Sequence, residues 1–439
     1  MAQPTDNSVY SQRPGETVPK ISEKDRASPS PLKVPSRLLM GPGPTNAHPR
    51  VLSAQSLPLL GHLHPPFLAI MDEIQQGLRY LFQTTSPYVL LVSGTGHAGM
   101  EATIANCLEP GETIVVATSG IWGQRVCDLS ERYGAKVVNL ESPPAAAVKL
   151  EDIKASLEQH KPAALFLCQG ESSTGVHQSL AGLGELSAGE SSTGVHQSLA
   201  GLGELCHQHN TLLLVDTVCS LGGVPFFADE WGVDCMYSGS QKCLSAPPGA
   251  APFFMSERAM KKLKGRKTKV ATYMLDMNLV GDYWGWYGKR WYHHTGPISM
   301  WYGMREALAI VAEQGLDSMW KRHTELGKYL WAGLRQIGLE PYVTDPADRL
   351  ITVNTVRVPK DIDAVKLITF AMSKFSLEIS AGLGPSAGQV WRVGLMGYNA
   401  TAANIELVLT AFRQGLAEQG YSKSQPKTQN PQESRVDYA

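Results

Sequence analysis

A lysine that follows small residues at the end of an apolar run is placed to act as an amine nucleophile. Lys242 closes Ser238-Gly239-Ser240-Gln241-Lys242, behind the strand-like stretch Cys235 to Ser238 and ahead of Leu244-Ser245-Ala246-Pro247-Pro248-Gly249. Small side chains let a flat group approach the backbone, and an amine drawn partly out of water is available in its neutral form to make a Schiff base. A surface lysine in a turn is the competing reading. Asp216 ends the apolar run Leu212-Leu213-Leu214-Val215, which puts its carboxylate at a strand tip. It is either a helix N-cap or the acid partner of a protonated ring nitrogen, the arrangement that lets a heterocycle drain electrons from a carbanion.

Three further positions carry chemistry of matching kinds. Thr95-Gly96-His97 lies between the strand-like Tyr88 to Val92 and a helix beginning near Gly99. Amides at a helix start, with a hydroxyl beside them and no bulk at Gly96, make an anion site; a plain tight turn is the alternative. Trp122, flanked by Gly120 and Gly123, follows the strand-like Thr113 to Ala117 and can stack on a flat ring or belong to the core. Arg392 stands among apolar neighbours in Val390-Trp391-Arg392-Val393-Gly394-Leu395. Its guanidinium needs a partner, either a substrate carboxylate held bidentately or an internal acid.

The elements that must position these residues alternate. Strand-like runs at 88–92, 113–117, 136–139, 163–168, 212–216, 235–238 and 251–255 are interleaved with helical patterns at 101–106, 124–132 and 150–159. Such alternation predicts a mainly parallel seven-stranded sheet covered by helices, with ligands beyond the carboxyl ends of its strands. Beyond Thr295 the pattern changes to one long helical stretch, 300–337, then strand-like 351–358, a helix 362–375, a Gly-rich turn, strand-like 390–395 and a last helix 402–419. The predicted division is a large domain over 34–295 and a smaller C-terminal α/β domain over 296–420, with residues 1–33 a flexible arm and 421–439 a disordered tail.

Composition narrows the partners. Lys and Arg total 39 against 40 Asp and Glu, a net charge of −1, so nothing in the charge favours nucleic acid or an anionic membrane. No run of apolar residues is long enough to span a bilayer. The seven cysteines are scattered without C-x-x-C or His-Cys spacing, which predicts buried free thiols and no metal site. The N-terminal stretch carries too many acids for a typical transit peptide, and Val436-Asp437-Tyr438-Ala439 is not a Ser-Lys-Leu address.

One feature departs from an ordinary globular chain. The seventeen residues Gly170 to Leu186 recur unchanged as Gly189 to Leu205, separated by Ser187-Ala188. A solenoid needs at least three stacked units, so the expectation is a 19-residue tandem duplication, or a splicing or gene-model artefact, inserted into an otherwise complete fold. The apolar strand 163–168 runs into the first copy, whereas the helix leading to Leu212 is continuous with the second. The expectation is a hybrid, with the strand end using copy one, the helix using copy two and about nineteen residues looped out between them.

The order of these pieces resembles the class V aminotransferases. Gly41-Pro42-Gly43-Pro44, Ser93 to His97, Gly120 to Gln124, Ser238 to Lys242, Tyr292-His293-His294-Thr295 and Gly382-Leu383-Gly384-Pro385 are similar to segments of the alanine:glyoxylate and serine:pyruvate aminotransferase family, over about Val34 to Gln419. The resemblance implies a fold-type I transferase dependent on pyridoxal 5'-phosphate, and a homodimer with shared active sites. By residue it implies Lys242 as the catalytic base and cofactor anchor, Asp216 at the ring nitrogen and Trp122 on the ring face. Thr95, Gly96, His97 and Gln241 would hold the phosphate, joined by Tyr292 and Thr295 from the neighbouring subunit, and Arg392 the substrate carboxylate. A serine of the Glu-Ser-Ser-Thr-Gly motif would approach the phenolic oxygen: Ser172, or Ser191 in the second copy. The implied reaction is ping-pong transamination of alanine or serine with glyoxylate or pyruvate, in peroxisome or mitochondrion. The alternatives are 3-hydroxykynurenine as donor, and a cofactor-binding dimer that the duplication has inactivated.

Overall fold

A computed structural model describes residues 30–180 and 201–421. Most of the predicted arm, the tail after Tyr421, and Glu190 and Ser191 of the second copy lie outside the described residues. The compact body begins at Arg37; residues 30–36 form neither helix nor strand.

The central sheet has seven strands, in the order β2 (Val89–Ser93), β10 (Ala250–Met255), β9 (Cys235–Tyr237), β8 (Leu212–Asp216), β5 (Ala164–Cys168), β3 (Thr113–Thr118) and β4 (Lys136–Glu141). Strand β10 runs antiparallel to both neighbours, while β9 through β4 are parallel. The expected mainly parallel sheet is therefore present. Strands β5, β8 and β10 are buried throughout, as uninterrupted apolar runs covered on both faces should be. Strand β4, at the edge, alternates and keeps Lys136 and Glu141 in solvent. Helices α3 (Gly96–Cys107), α4 (Ile121–Arg132), α5 (Leu150–His160), α6 (Leu202–Gln208) and α7 (Glu257–Lys264) pack on these strands.

The sheet's core also takes in α1 (Pro49–Gln55), α2 (Pro65–Phe82), α8 (Met277–Trp284) and α9 (Ile298–Gln314). The long helix expected over 300–337 is in fact two, α9 and α10 (Leu316–Ile337), broken at Gly315. There φ is +76° and ψ 141°, a conformation that glycine reaches without a Cβ penalty and that no helix can continue through. The break lets α9 lie on the first core through Trp301, Met304 and Leu308, while α10 carries Leu330 and Leu334 into a second core.

That second core gathers Met40, Trp391, Val393, Ile405 and Phe412. It lies under the antiparallel sheet β11 (Val353–Arg357), β14 (Val390–Gly394) and β13 (Ser380–Ala381), with α11 (Ala364–Phe375) and α12 (Ala402–Ala417). The short β1 (Leu38–Leu39) joins it by parallel pairing with β12 (Leu377–Glu378). A hairpin of β6 (Gly170–Glu171) and β7 (Val176–His177) follows β5 directly and touches both regions: Leu350 donates its amide to Gly175 O at 2.9 Å and Thr355 its hydroxyl to Thr174 O at 2.9 Å. Among the described residues no helix is long and apolar enough to cross a membrane. All seven cysteines are free, and all but Cys127 are buried.

The hairpin comes from copy one of the duplication and α6 from copy two. Leu202 donates its amide to Leu180 O at 3.2 Å, so the chain leaves and re-enters the described fold at one point. The hybrid expected from the sequence is the arrangement at these two ends.

Candidate functional site

The carboxyl ends of β2, β5, β8 and β9 open onto one cleft. Thr95, Gly96, His97, Trp122, Ser172, Asp216, Gln241 and Lys242, from five separate places in the sequence, line it together. Parallel strands bring their ends to one rim, and the loops that follow carry the chemistry.

Asp216, 4% exposed, is the last residue of β8. Its Oδ1 accepts the Val218 amide at 2.7 Å and its Oδ2 the Tyr237 hydroxyl at 2.5 Å. Burial pushes its pKa up to about 6, against the pull of these two donors and of Lys242. It is not an N-cap, since no helix follows β8 at once. Lys242 lies in the turn after β9 and donates Nζ to Pro42 O. Gly43 faces the same amine with φ +113°, and a Cβ built there would collide with Nζ and Cδ. Only glycine allows the 41–44 segment to pass this close to the lysine.

At the opposite side, Thr95 stands at the N-cap of α3 without a side-chain capping bond, leaving its hydroxyl beside the first amides of the helix. A Cβ on Gly96 would lie 2.9 Å from Val218 Cγ2, so the close approach of this turn to the β8 loop requires glycine. The His97 ring sits 5.4 Å from Trp122 and 3.0 Å from Arg125 Nη1; burial, then Arg125, lowers its pKa. Gln241 Oε1 is buried without a partner, and a half-turn of the amide would present Nε2 as a donor at the same place.

Trp122, in the first turn of α4, donates Nε1–H to Ser172 Oγ at 2.8 Å. The serine of the first copy therefore stands in the cleft. Its carbonyl accepts Arg392 Nη1 at 3.2 Å, and Arg392 Nε goes to Ala381 O at 2.8 Å. Arg392 is 8% exposed. Burial lowers its pKa, and the acid that acts on it, Glu171, forms no ion pair with it. The internal salt bridge considered from sequence is absent among the described residues, and Arg392 is not among the residues that line the cleft. Tyr292, 58% exposed, and Thr295, also exposed, do not line this cleft.

Sequence reasoning passed over Tyr237, Glu171 and Cys219. Tyr237 reaches Asp216 because β9 pairs with β8 in the register Asp216↔Tyr237, a relation no single strand reveals. Glu171 was visible by the argument used for Asp216, an acid just past an apolar strand. Cys219 lines the cleft as a neutral thiol, its pKa raised by burial. Taken together, an anion-seeking helix start, an aromatic wall, a buried carboxylate, an orphaned amide and a lysine amine complement a flat, phosphorylated, nitrogen-containing ring.

Comparison with known proteins agrees with this geometry. The family described as Aminotransferase class-V matches residues 52–187 and 185–408, two stretches that meet between the duplicated copies. The alanine–glyoxylate aminotransferase of Callithrix jacchus is 46% identical over 387 residues, covering 88% of this chain and 89% of that protein. That of Drosophila melanogaster is 44% identical over 388 residues, covering 88% and 94%. The crystal structure of alanine–glyoxylate aminotransferase from Nostoc sp. superposes with a TM-score of 0.84 at 47% identity, covering 90% of this chain and 100% of that one. The chain belongs to the class V aminotransferase family.

Proposed function

We propose that the protein is a pyridoxal phosphate-dependent transaminase that moves the amino group of alanine, or serine, to glyoxylate. The observation that carries this is a single cleft in which a buried acid and a lysine amine face each other beneath an uncapped helix start. Pyridoxal phosphate, when bound, supplies an electron sink for the carbanion that forms as the α-proton leaves.

The remaining work falls to side chains. Lys242 would anchor the cofactor, and its amine would serve to move the substrate's α-proton, as base and then acid. Asp216 keeps a proton on the ring nitrogen: a cation there would draw its pKa down from about 6 and hold it ionised. Thr95, Gly96, His97 and Gln241 bind the phosphate, and Trp122 covers the ring. Ser172, which accepts from Trp122, would turn its hydroxyl hydrogen to the phenolic oxygen. Arg392 binds the substrate carboxylate.

The same reading includes a homodimer, in which Tyr292 and Thr295 serve the neighbour's phosphate, an organellar setting, peroxisomal or mitochondrial, and the division into a large domain over 34–295 and a smaller one over 296–420. The exposure of Tyr292 and Thr295 outside their own cleft supports the shared site. Relatives at 44–46% identity are named for alanine and glyoxylate, which favours that pair over hydroxykynurenine and over an inactive protein.

Parallel turnover assays test the choice of substrate: alanine with glyoxylate is expected to run, and activity on hydroxykynurenine alone would overturn it. Borohydride reduction followed by peptide mapping is expected to find the pyridoxyl group on Lys242. An adduct on another lysine would refute the anchor.

A further inference from the structure

Helix α4 begins without a cap of its own. Its N-cap residue, Gly120, has no side chain to offer, and the first two amides of the helix are those of Ile121 and Trp122. Both are satisfied from across the cleft wall. Ile121 N donates to Ser173 Oγ at 3.0 Å and Trp122 N to Glu171 Oε2 at 3.1 Å. Ser173 then gives its hydroxyl to Glu171 Oε1 at 2.6 Å and its amide to the same oxygen at 3.0 Å. Glu171 is fully buried. A Cβ on Gly120 would fall 2.5 Å from Glu171 Cγ and Cδ, so the glycine is there to let the acid in.

We propose that Glu171 is the positioning residue for Trp122, a cap supplied from the β6–β7 hairpin that fixes the first turn of α4 and with it the indole over the cleft. Cap and indole are fastened by consecutive residues, since the Trp122 ring nitrogen rests on Ser172 Oγ. An ionised carboxylate suits this place, being acceptor-only toward three donors and lying at the positive end of a helix. Protonation replaces one acceptor lone pair with a donor and so loosens the turn.

The setting makes that event accessible. Burial pushes Glu171 up to about 7, against the pull of Ser173 and of the Trp122 amide. The other groups facing it are Asp216 at the end of β8, which opposes its ionisation, Cys168 at the end of β5, Cys219, Tyr237 on β9, and the cationic Arg392 on β14. What the indole does for a substrate rests on the transaminase reading; the cap does not.

The test uses the full chain without cofactor, its tryptophans labelled with ¹⁵N at the indole, and Trp122→Phe to assign one resonance. In the wild type that resonance should titrate with a midpoint near 7. Glu171→Gln should abolish the titration and weaken uptake of pyridoxal phosphate about tenfold, the effect of one unsatisfied buried group. Ser173→Ala removes a donor that holds the acid down, so it should move the midpoint upward, and it serves if the Gln variant does not fold. A resonance that does not move in the wild type, or one that titrates unchanged in Glu171→Gln because Asp216 drives it, overturns the proposal. Absence of transaminase turnover would sink the function above and leave this titration intact; a flat titration in an active enzyme would do the reverse.

Discussion

At the scale of the residue, the cleft stores an unfavourable charge for later use. Asp216 is buried and its pKa lies near 6, so folding disfavours its ionised form relative to the unfolded chain. A pKa raised by folding contributes stability below the ordinary Asp range and loses it as pH climbs through the folded value. Asp216→Asn, which has no charge to bury, should therefore be more stable than the cofactor-free wild type at pH 8, by about 3 kcal/mol, with the gap narrowing toward pH 5. Thermal unfolding of both proteins at the two pH values checks this, and an equal difference at both would discount the buried charge as its cause. The partner of that acid offers a second prediction. Tyr237 donates to Asp216 at 2.5 Å and helps to hold the carboxylate down. Tyr237→Phe should raise the Asp216 pKa, and the acid limb of the kcat/KM profile should move to higher pH; a limb left in place would mean that another group controls it.

At the scale of the element, the duplication yields to a simple count. The repeat period is nineteen residues, and the described chain closes with Leu202 N on Leu180 O. Take nineteen residues out, 181–199, and these two positions become i and i+3, the hydrogen bond of an ordinary β-turn. The sequence left behind is one uninterrupted copy, because the copies are identical. The variant lacking 181–199 should therefore match the wild type in turnover within about twofold and unfold no earlier, since loop insertions cost little and their removal costs less. Ser191→Ala should be silent where Ser172→Ala is not; a silent Ser172→Ala would place the second copy at the cleft. The same elements mark how far the sequence could be read. Strand β8 and Asp216, or β5 running into copy one, were legible because a buried parallel strand writes itself as an unbroken apolar run and its chemistry follows at the tip. The break at Gly315 was not, since the amphipathic pattern of α9 continues into α10 and one glycine inside such a pattern is often tolerated. Nor were Tyr237 and the Glu171 cap, which depend on which strand lies beside which and on a helix start met by a hairpin fifty residues away.

At the scale of the whole molecule, two residues expected to serve a site stand outside the cleft of their own chain. Tyr292 and Thr295 belong to a segment tied back to its own fold, with His294 Nε2 2.6 Å from Ser93 Oγ and His293 Nδ1 2.8 Å from His294 Nδ1, yet both are exposed away from their own cleft. Large apolar side chains stand in solvent along the same stretch, Tyr273, Met274 and Trp291, and on the N-terminal side Leu57, Leu59 and Leu63. Exposed groups of this size suit a surface that another molecule covers where they lie side by side. If that molecule is a second copy, the lysine of each site and the Tyr292–Thr295 segment of the same site come from different chains, and mixing experiments acquire a definite sign. A Lys242→Ala dimer has no anchor, and a dimer carrying both Tyr292→Ala and Thr295→Ala binds the cofactor phosphate poorly at both sites. Refolded or co-expressed together, the two variants form mixed dimers in which one site has lost everything and the other is intact, with its lysine from one chain and its phosphate contacts from the other. Turnover should then rise above that of either parent, toward about a quarter of the wild type when the chains pair at random. No recovery in mixed dimers that size and tag capture show to have formed would mean that each chain completes its own site.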